Sequence, residues 1–236
     1  MITVEICTPS RASAEAAKAG GAQRIELCRD LSCGGLTPSD EDIGYCIHTL
    51  GLRTHVLVRP RSGGFCYSKA EVRETERSIL RCKMLGAHAV VVGFLTPDGR
   101  IDVELTRRMV ELAAPMEVTF HRAFDEACQD PTEALRAVMQ TGCTRLLTSG
   151  QRPTAIEGAA VIRQLVDCAT VTPASAGHFS ILAGSGVTPD NVHDLLTQTG
   201  VGEVHGSCKT TLPDGTVQTD AMQVRLLLDR VAATCV

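Results

Sequence analysis

The 236-residue sequence predicts a single-domain α/β protein built as a closed (β/α)8 barrel. Three observations lead there. Short β-branched runs alternate with longer helix-forming segments from one end to the other, eight of each, which is the pattern of repeated βα units around a parallel sheet. No linker or low-complexity tract interrupts the alternation, and a length above the usual single-domain size is ordinary for this barrel. A doubly wound open sheet alternates in the same way, but it usually needs fewer units and often carries a glycine fingerprint after its first strand, where this chain has Cys7-Thr8-Pro9-Ser10.

Taken in order, the first strand is expected over residues 3–7 and the first helix over 10–19, ended by Ala19-Gly20-Gly21-Ala22. A strand over 24–28 precedes a helix over 39–50, whose Ser39-Asp40-Glu41-Asp42 puts acids in the first turn. The third strand, 54–59, leads to a helix over 68–85 that stops at Leu85-Gly86-Ala87. Strands follow over 89–93, 117–121 and 145–149, with Thr141-Gly142-Cys143 as the small terminator before the last of these. A helix over 154–171, a strand over 179–183, a helix opening at Thr188-Pro189, a strand over 203–207 and a helix near 220–233 complete the ring.

Composition removes several functions. Hydrophobic residues make up 44% and charged residues 21%, as in globular proteins, so neither disorder nor a membrane protein is indicated. With no Trp, 2 Tyr, 5 Phe and a net charge of -4, the chain lacks both the aromatic platforms and the cationic surface that nucleic acids require. The N-terminal Met1-Ile2-Thr3-Val4-Glu5-Ile6-Cys7 has no secretory pattern, and no apolar run approaches a membrane span, so neither export nor a membrane span is expected. The 11 Cys are odd in number, scattered and without a repeated Cys-x-x-Cys, which suggests mostly reduced, buried thiols.

The chemistry is expected at the C-terminal ends of the strands, where barrels of this kind carry their sites. Strand alternation puts Glu5 with Cys7, and Glu26 with Cys28, on faces opposite Val4, Ile6, Ile25 and Leu27. The apolar set should face the helices and the Glu/Cys set the barrel interior. Arg59 ends the third strand, His121 ends the fifth, and His205 shares a face with Glu203. Buried charges need partners, so Glu5, Glu26, Arg59 and Arg61 are expected to form an ion-pair network at the mouth. Two thiolates on neighbouring strands about 4.8 Å apart suit a soft metal such as Cu(I), a disulfide, or simply two buried thiols. A second candidate is the glycine loop of Gly184, Ser185 and Gly186, with Gly206 and Ser207 beyond the eighth strand, where backbone N–H groups and a helix N-terminus can hold a phosphate.

Several of these segments resemble the CutC family, named for copper homeostasis. The likeness runs from Glu5-Ile6-Cys7 through Arg24-Ile25-Glu26-Leu27-Cys28, Gly34-Gly35-Leu36-Thr37-Pro38-Ser39 and Arg59-Pro60-Arg61. It continues in Val118-Thr119-Phe120-His121-Arg122-Ala123-Phe124-Asp125, Leu146-Leu147-Thr148-Ser149-Gly150 and Glu203-Val204-His205. The resemblance implies a (β/α)8 barrel, a cytoplasmic homo-oligomer and a role in copper handling, with Cys7 and Cys28 in the positions of the family's proposed Cu(I) ligands. Three places depart from the family pattern: Ser32-Cys33-Gly34-Gly35 has no acid before its glycines, Gly63-Gly64-Phe65-Cys66-Tyr67-Ser68 has no Asp before Phe, and the connection over 207–217 is short. Cys33 offers a further thiol near the site.

Two functions are therefore expected to compete. One is a Cu(I)-binding or copper-tolerance protein using Cys7 and Cys28. The other is a barrel enzyme acting on a small anionic or phosphorylated substrate, with Glu5, Glu26, Arg59, Arg61, His121 and Asp125 as its acid, base and anion-holding groups.

Overall fold

The computed structural model describes residues 2–171, 179–213 and 215–234. Eight parallel strands close into a barrel in chain order: β1 (Thr3–Thr8), β2 (Arg24–Leu27), β3 (Arg53–Leu57), β4 (Ala89–Val92), β5 (Glu117–Phe120), β6 (Arg145–Thr148), β7 (Ser180–Gly184) and β8 (Glu203–Gly206). β8 pairs back onto β1, with Glu5 beside His205, while on the other side Glu5 lies beside Arg24. The helices are α1 (Arg11–Ala19), α2 (Asp40–Gly44), α3 (Lys69–Met84), α4 (Val103–Ala113), α5 (Pro131–Met139), α6 (Ala159–Val171), α7 (Val192–Thr199) and α8 (Ala221–Thr234).

Local sequence accounts for the helix starts. Ser10 and Ser39 cap α1 and α2 by accepting the N–H of Ser13 and Asp42. Ser68 and Glu71 form a reciprocal capping box on α3, and Asp130 followed by Pro131 opens α5. Three expectations are corrected. The helix expected over 39–50 loosens after Gly44 into a π-helical turn over Tyr45–Thr49. The helix expected from residue 154 begins at Ala159, after a turn segment over 151–158. The helix expected at Thr188-Pro189 begins at Val192, because the Asn191 side chain accepts the Thr188 N–H at 2.9 Å and donates to the Gly186 carbonyl at 2.8 Å, making a turn of these residues.

The connection over 207–217 supplies two further short strands, β9 (Lys209–Thr211) and β10 (Val217–Thr219), paired as an antiparallel hairpin. The apolar core is divided as alternation requires. Val4, Ile6, Ile25 and Leu27 belong to the shell between barrel and helices, whereas Cys7, Cys28, Leu57 and Val91 form a separate cluster inside the barrel.

Candidate functional site

Much of the lower barrel interior is ionic. Arg24 pairs with Glu203, whose Oε2 also accepts from Arg145 Nε at 2.9 Å, and Arg145 Nη2 reaches Glu117 at 3.2 Å. Glu117 closes the chain with Arg53 at 2.7 Å. Above these, Glu5 Oε2 lies 2.9 Å from Arg24 Nε, close enough for ion pairing, and 2.8 Å from His55 Nδ1, whose pKa burial lowers; neither contact is aligned as a hydrogen bond. Burial alone would raise the Glu5 carboxyl, but His55, His205 and Arg24 outweigh it and hold the group well below its ordinary value.

This network replaces the expected one. Glu5 is paired with Arg24 and the histidines rather than with Arg59 or Arg61. The Arg59 Nη groups donate to backbone carbonyls, at 2.9 Å to Cys33, 3.2 Å to Gly35 and 2.8 Å to Gly63. Arg61 leaves the mouth altogether: it binds Glu71 at 2.6 Å and the carbonyls of Ser62, Gly64 and Cys66. The reason is reach: the loop after β2 supplies the Cys33 and Gly35 carbonyls to Arg59, and the loop after β3 supplies that of Gly63 to Arg59 and those of Ser62, Gly64 and Cys66 to Arg61.

The upper layer carries reactive groups. Cys7 Sγ lies 3.9 Å from Cys28 Sγ and 3.8 Å from Glu26 Oε1. Ligand atoms of Cys7, Glu26 and His205 all fall within 4.8 Å of one another. Glu5 Oε1 takes His205 Nδ1 at 2.9 Å, which leaves Nε2 as the nitrogen available to the cavity. A carboxylate behind a histidine in this way fixes the ring and raises its basicity, as carboxylates hydrogen-bonded to metal-bound histidines do.

The environment sets their protonation. The neighbouring Cys28 thiol and burial push Cys7 well above the ordinary thiol value. Burial lifts the Glu26 carboxyl to about 7 against the charge of His205. His205 resists its own burial, because contacts with Cys7, Glu26 and Glu5 hold the imidazolium form well above the usual range. Elsewhere the thiols are bland: Cys82 and Cys143 are core residues whose burial pushes them up to about 12.

A cavity of about 900 Å³ opens above this layer, with Cys7, Glu26 and His205 in its floor and Cys33, Arg59, Phe65, His121 and Asp125 in its walls. Among the expected site residues, Glu5, Cys28, Arg61 and Gly184 do not line it. His121 is buried, its Nδ1 accepts the Ala123 N–H at 3.1 Å, and burial with the nearby Arg59 charge pushes it down to about 3. The ring fits only because residue 93 is glycine, where a Cβ would come within 2.3 Å of it.

Asp125 lines the mouth but its oxygens are already engaged. They accept from Thr148 Oγ1 at 2.5 Å, Ser149 N at 3.0 Å, Ser149 Oγ at 2.9 Å, Gln151 N at 3.0 Å and Arg122 Nε at 2.8 Å. Such a carboxylate ties the β6 loop to the turn after β5. Ser185, Gly186, Gly206 and Ser207 border the opposite wall with Lys209. Ser185 and Gly186 both have left-handed backbone, φ 82° and 72°, and Ser185 Oγ donates to the Pro153 carbonyl at 2.8 Å. The helix N-terminus expected to serve this loop is displaced, because α7 starts only at Val192.

His205, His55 and Arg24 are the principal interior residues that the sequence reading left out of the site. Arg24 shares the alternation of Glu26 and Cys28, and His205 that of Glu203, so both were within reach of the period-two pattern. His55 shares the alternation of Arg59 on the expected third strand, so it too was within reach of that pattern.

The comparisons with known proteins agree with one another. The model of the CutC family matches residues 2–210. A CutC family protein from Chromobacterium violaceum is 43% identical over 206 residues, covering 87% of this chain and 81% of its own. One from Vibrio vulnificus is 43% identical over 212 residues, covering 89% and 82%. Among solved structures, CutC from Streptococcus agalactiae, a protein named for copper homeostasis, matches with a TM-score of 0.80 at 31% identity, over 88% of this chain and 99% of that one. Phosphoribosylanthranilate isomerase from Thermotoga maritima, with a TM-score of 0.64 at 15% identity over 99% of this chain and all of its own, shares the fold alone.

Proposed function

This chain belongs to the CutC family, named for copper homeostasis, and from that premise we propose that it binds Cu(I) through the Cys7 and Cys28 thiolates. The observation that carries this is the 3.9 Å separation of the two sulfurs. Metal–sulfur bonds of about 2.3 Å, taking zinc as the guide, would span it with an angle near 115° at the metal, roughly that of three-coordinate geometry. Thiolates are the donors that a soft monovalent ion selects, and a third position falls to His205 Nε2 or Glu26 on the Cys7 side.

Protonation supports a site that loads by exchange. Cys7 holds its proton firmly in the free protein, so copper must displace it; Glu26 stands beside it to exchange protons, and His205, held as the imidazolium, must release its Nε2 proton before it can ligate. A cytoplasmic setting suits this chemistry, because a reducing thiol pool keeps neighbouring cysteines open to metal. Exposed Leu80 and Met84 on α3 and Met222 and Leu226 on α8 give apolar surface through which copies of the chain can assemble.

X-ray absorption on the Cu(I)-loaded chain tests the ligand set. Two sulfurs with one nitrogen or oxygen in the first shell is the expected result; a shell without sulfur contradicts it.

The enzyme reading draws its best support from the same cavity, which is far larger than an ion needs and presents His205 and Glu26 as an acid–base pair. In that reading Arg61 takes no part, Asp125 positions the β6 loop, and Glu5 orients His205. Turnover of a small anionic substrate that is lost in Glu26→Gln and kept in Cys28→Ser would favour it over copper.

A further inference from the structure

Arg59 and His121, at the ends of β3 and β5, each hold one buried nitrogen that no protein group satisfies: Arg59 Nε and His121 Nε2. Each residue is only 6% exposed. Leaving such donors unpaired costs about 1–3 kcal/mol apiece, so each calls for a partner from outside the chain.

Both are donors, and both are held in place. Arg59 spends three of its five N–H donors, all on Nη nitrogens, on the carbonyls of Cys33, Gly35 and Gly63, and Nε is its one nitrogen without a partner. His121 Nδ1 accepts a backbone N–H from Ala123, so the neutral ring carries its proton on Nε2. Burial and the Arg59 charge keep that ring neutral. A neutral imidazole N–H and a guanidinium N–H bring two donors and one positive charge to the wall of one cavity, the kinds of group that stabilise an oxygen anion or a polarised carbonyl.

Phe65 packs against both residues, which line the cavity with it, while the two nitrogens themselves are covered. Its ring lies 4.8 Å from the His121 ring and 4.9 Å from Arg59 Cζ, and it hangs on the loop that contains Gly63 and Gly64. Phe65 itself lines the cavity, so turning its ring aside would open both donors to whatever the cavity holds.

We infer that Arg59 Nε and His121 Nε2 form an oxyanion subsite gated by Phe65, which takes the carboxylate or phosphate group of a small organic acid bound in the cavity. The metal ligands proposed above stand on β1, β2 and β8, so the subsite does not depend on copper, and its ligand can bind with the thiols empty.

The test uses the full metal-free chain with inorganic phosphate and malonate as probes, followed by calorimetry and by the His121 Nε2–H resonance. Saturable displacement of that resonance is expected; phosphate alone acting marks a phosphate ester, malonate alone a carboxylate, and either supports the subsite. His121→Gln should weaken binding about tenfold or more, as loss of a hydrogen bond to a charged group does. Phe65→Ala should tighten binding or speed it, because the gate is gone while both donors remain. The resonance is read on the unsubstituted protein, so the outcome does not hang on whether an Arg59 or His121 variant folds. No response to either probe in wild type and in Phe65→Ala, or undiminished binding in a folded His121→Gln, overturns the subsite.

Discussion

Glu5 Oε1 lies 2.9 Å from His205 Nδ1, so a wholly buried carboxylate in the first strand fixes which nitrogen of the last strand's histidine faces the cavity. The same carboxylate meets Arg24 and His55 through its other oxygen. One side chain thus joins the ionic interior of the barrel to the thiol layer above it.

Glu5→Gln keeps the shape and removes the charge. It should cost about 3 kcal/mol or more in urea unfolding, because Arg24 loses a buried counter-ion. Copper affinity should fall about 10- to 100-fold, the usual effect of removing the group behind a metal-bound histidine. Unchanged affinity would place His205 outside the coordination sphere.

Stability should depend on pH through Glu26. Burial holds its carboxyl up to about 7, so the folded chain keeps a proton that the unfolded chain, with a carboxyl pKa of about 4.3, has lost. Folding stability therefore falls as pH rises from about 4.3 through 7, by something on the order of 3 kcal/mol, and this contribution is flat above that. His205, held above its ordinary value, acts in the same direction, with its stabilisation full below about pH 6.5 and lost as pH climbs through its folded value. Urea titrations across this window should show a shallower slope for Glu26→Gln than for wild type.

Asp125→Ala removes the acceptor for Thr148, Ser149, Gln151 and Arg122 together. A loss of about 3 kcal/mol is expected, since buried donors are left without partners. Hydrogen exchange should quicken over residues 148–153, with copper binding at the opposite side of the cavity unaffected.

Gly93→Ala forces a methyl group to within 2.3 Å of the His121 ring. Overpacking of this kind costs about 1–3 kcal/mol. Thermal unfolding should show the loss while Cu(I) affinity holds, because Cys7 and Cys28 lie on other strands.

The eight-strand ring and the inward course of Cys7 and Cys28 were legible from alternation, because a period of two admits only two faces and the aliphatic one must meet the helices. The pairing of the charges was not. Glu5 meets Arg24 across one strand boundary, His205 across another and His55 from a strand further on, which depends on register and closure rather than on spacing. The rule that buried charges need partners points Arg59 and Arg61 to interior carboxylates, yet loop carbonyls meet that need for Arg59, and Glu71 with loop carbonyls meets it for Arg61. The Thr188-Pro189 helix start failed for a similar reason: Asn191 offered a local side-chain turn that competes with helix.

The most direct test of copper binding is an anaerobic Cu(I) titration against a competing chelator, run in parallel on wild type, Cys7→Ser, Cys28→Ser and the double variant. Tight binding of about one ion per chain that weakens in each single variant and vanishes in the double is the predicted result. Equal affinity and stoichiometry in all four would contradict a site built on the two sulfurs.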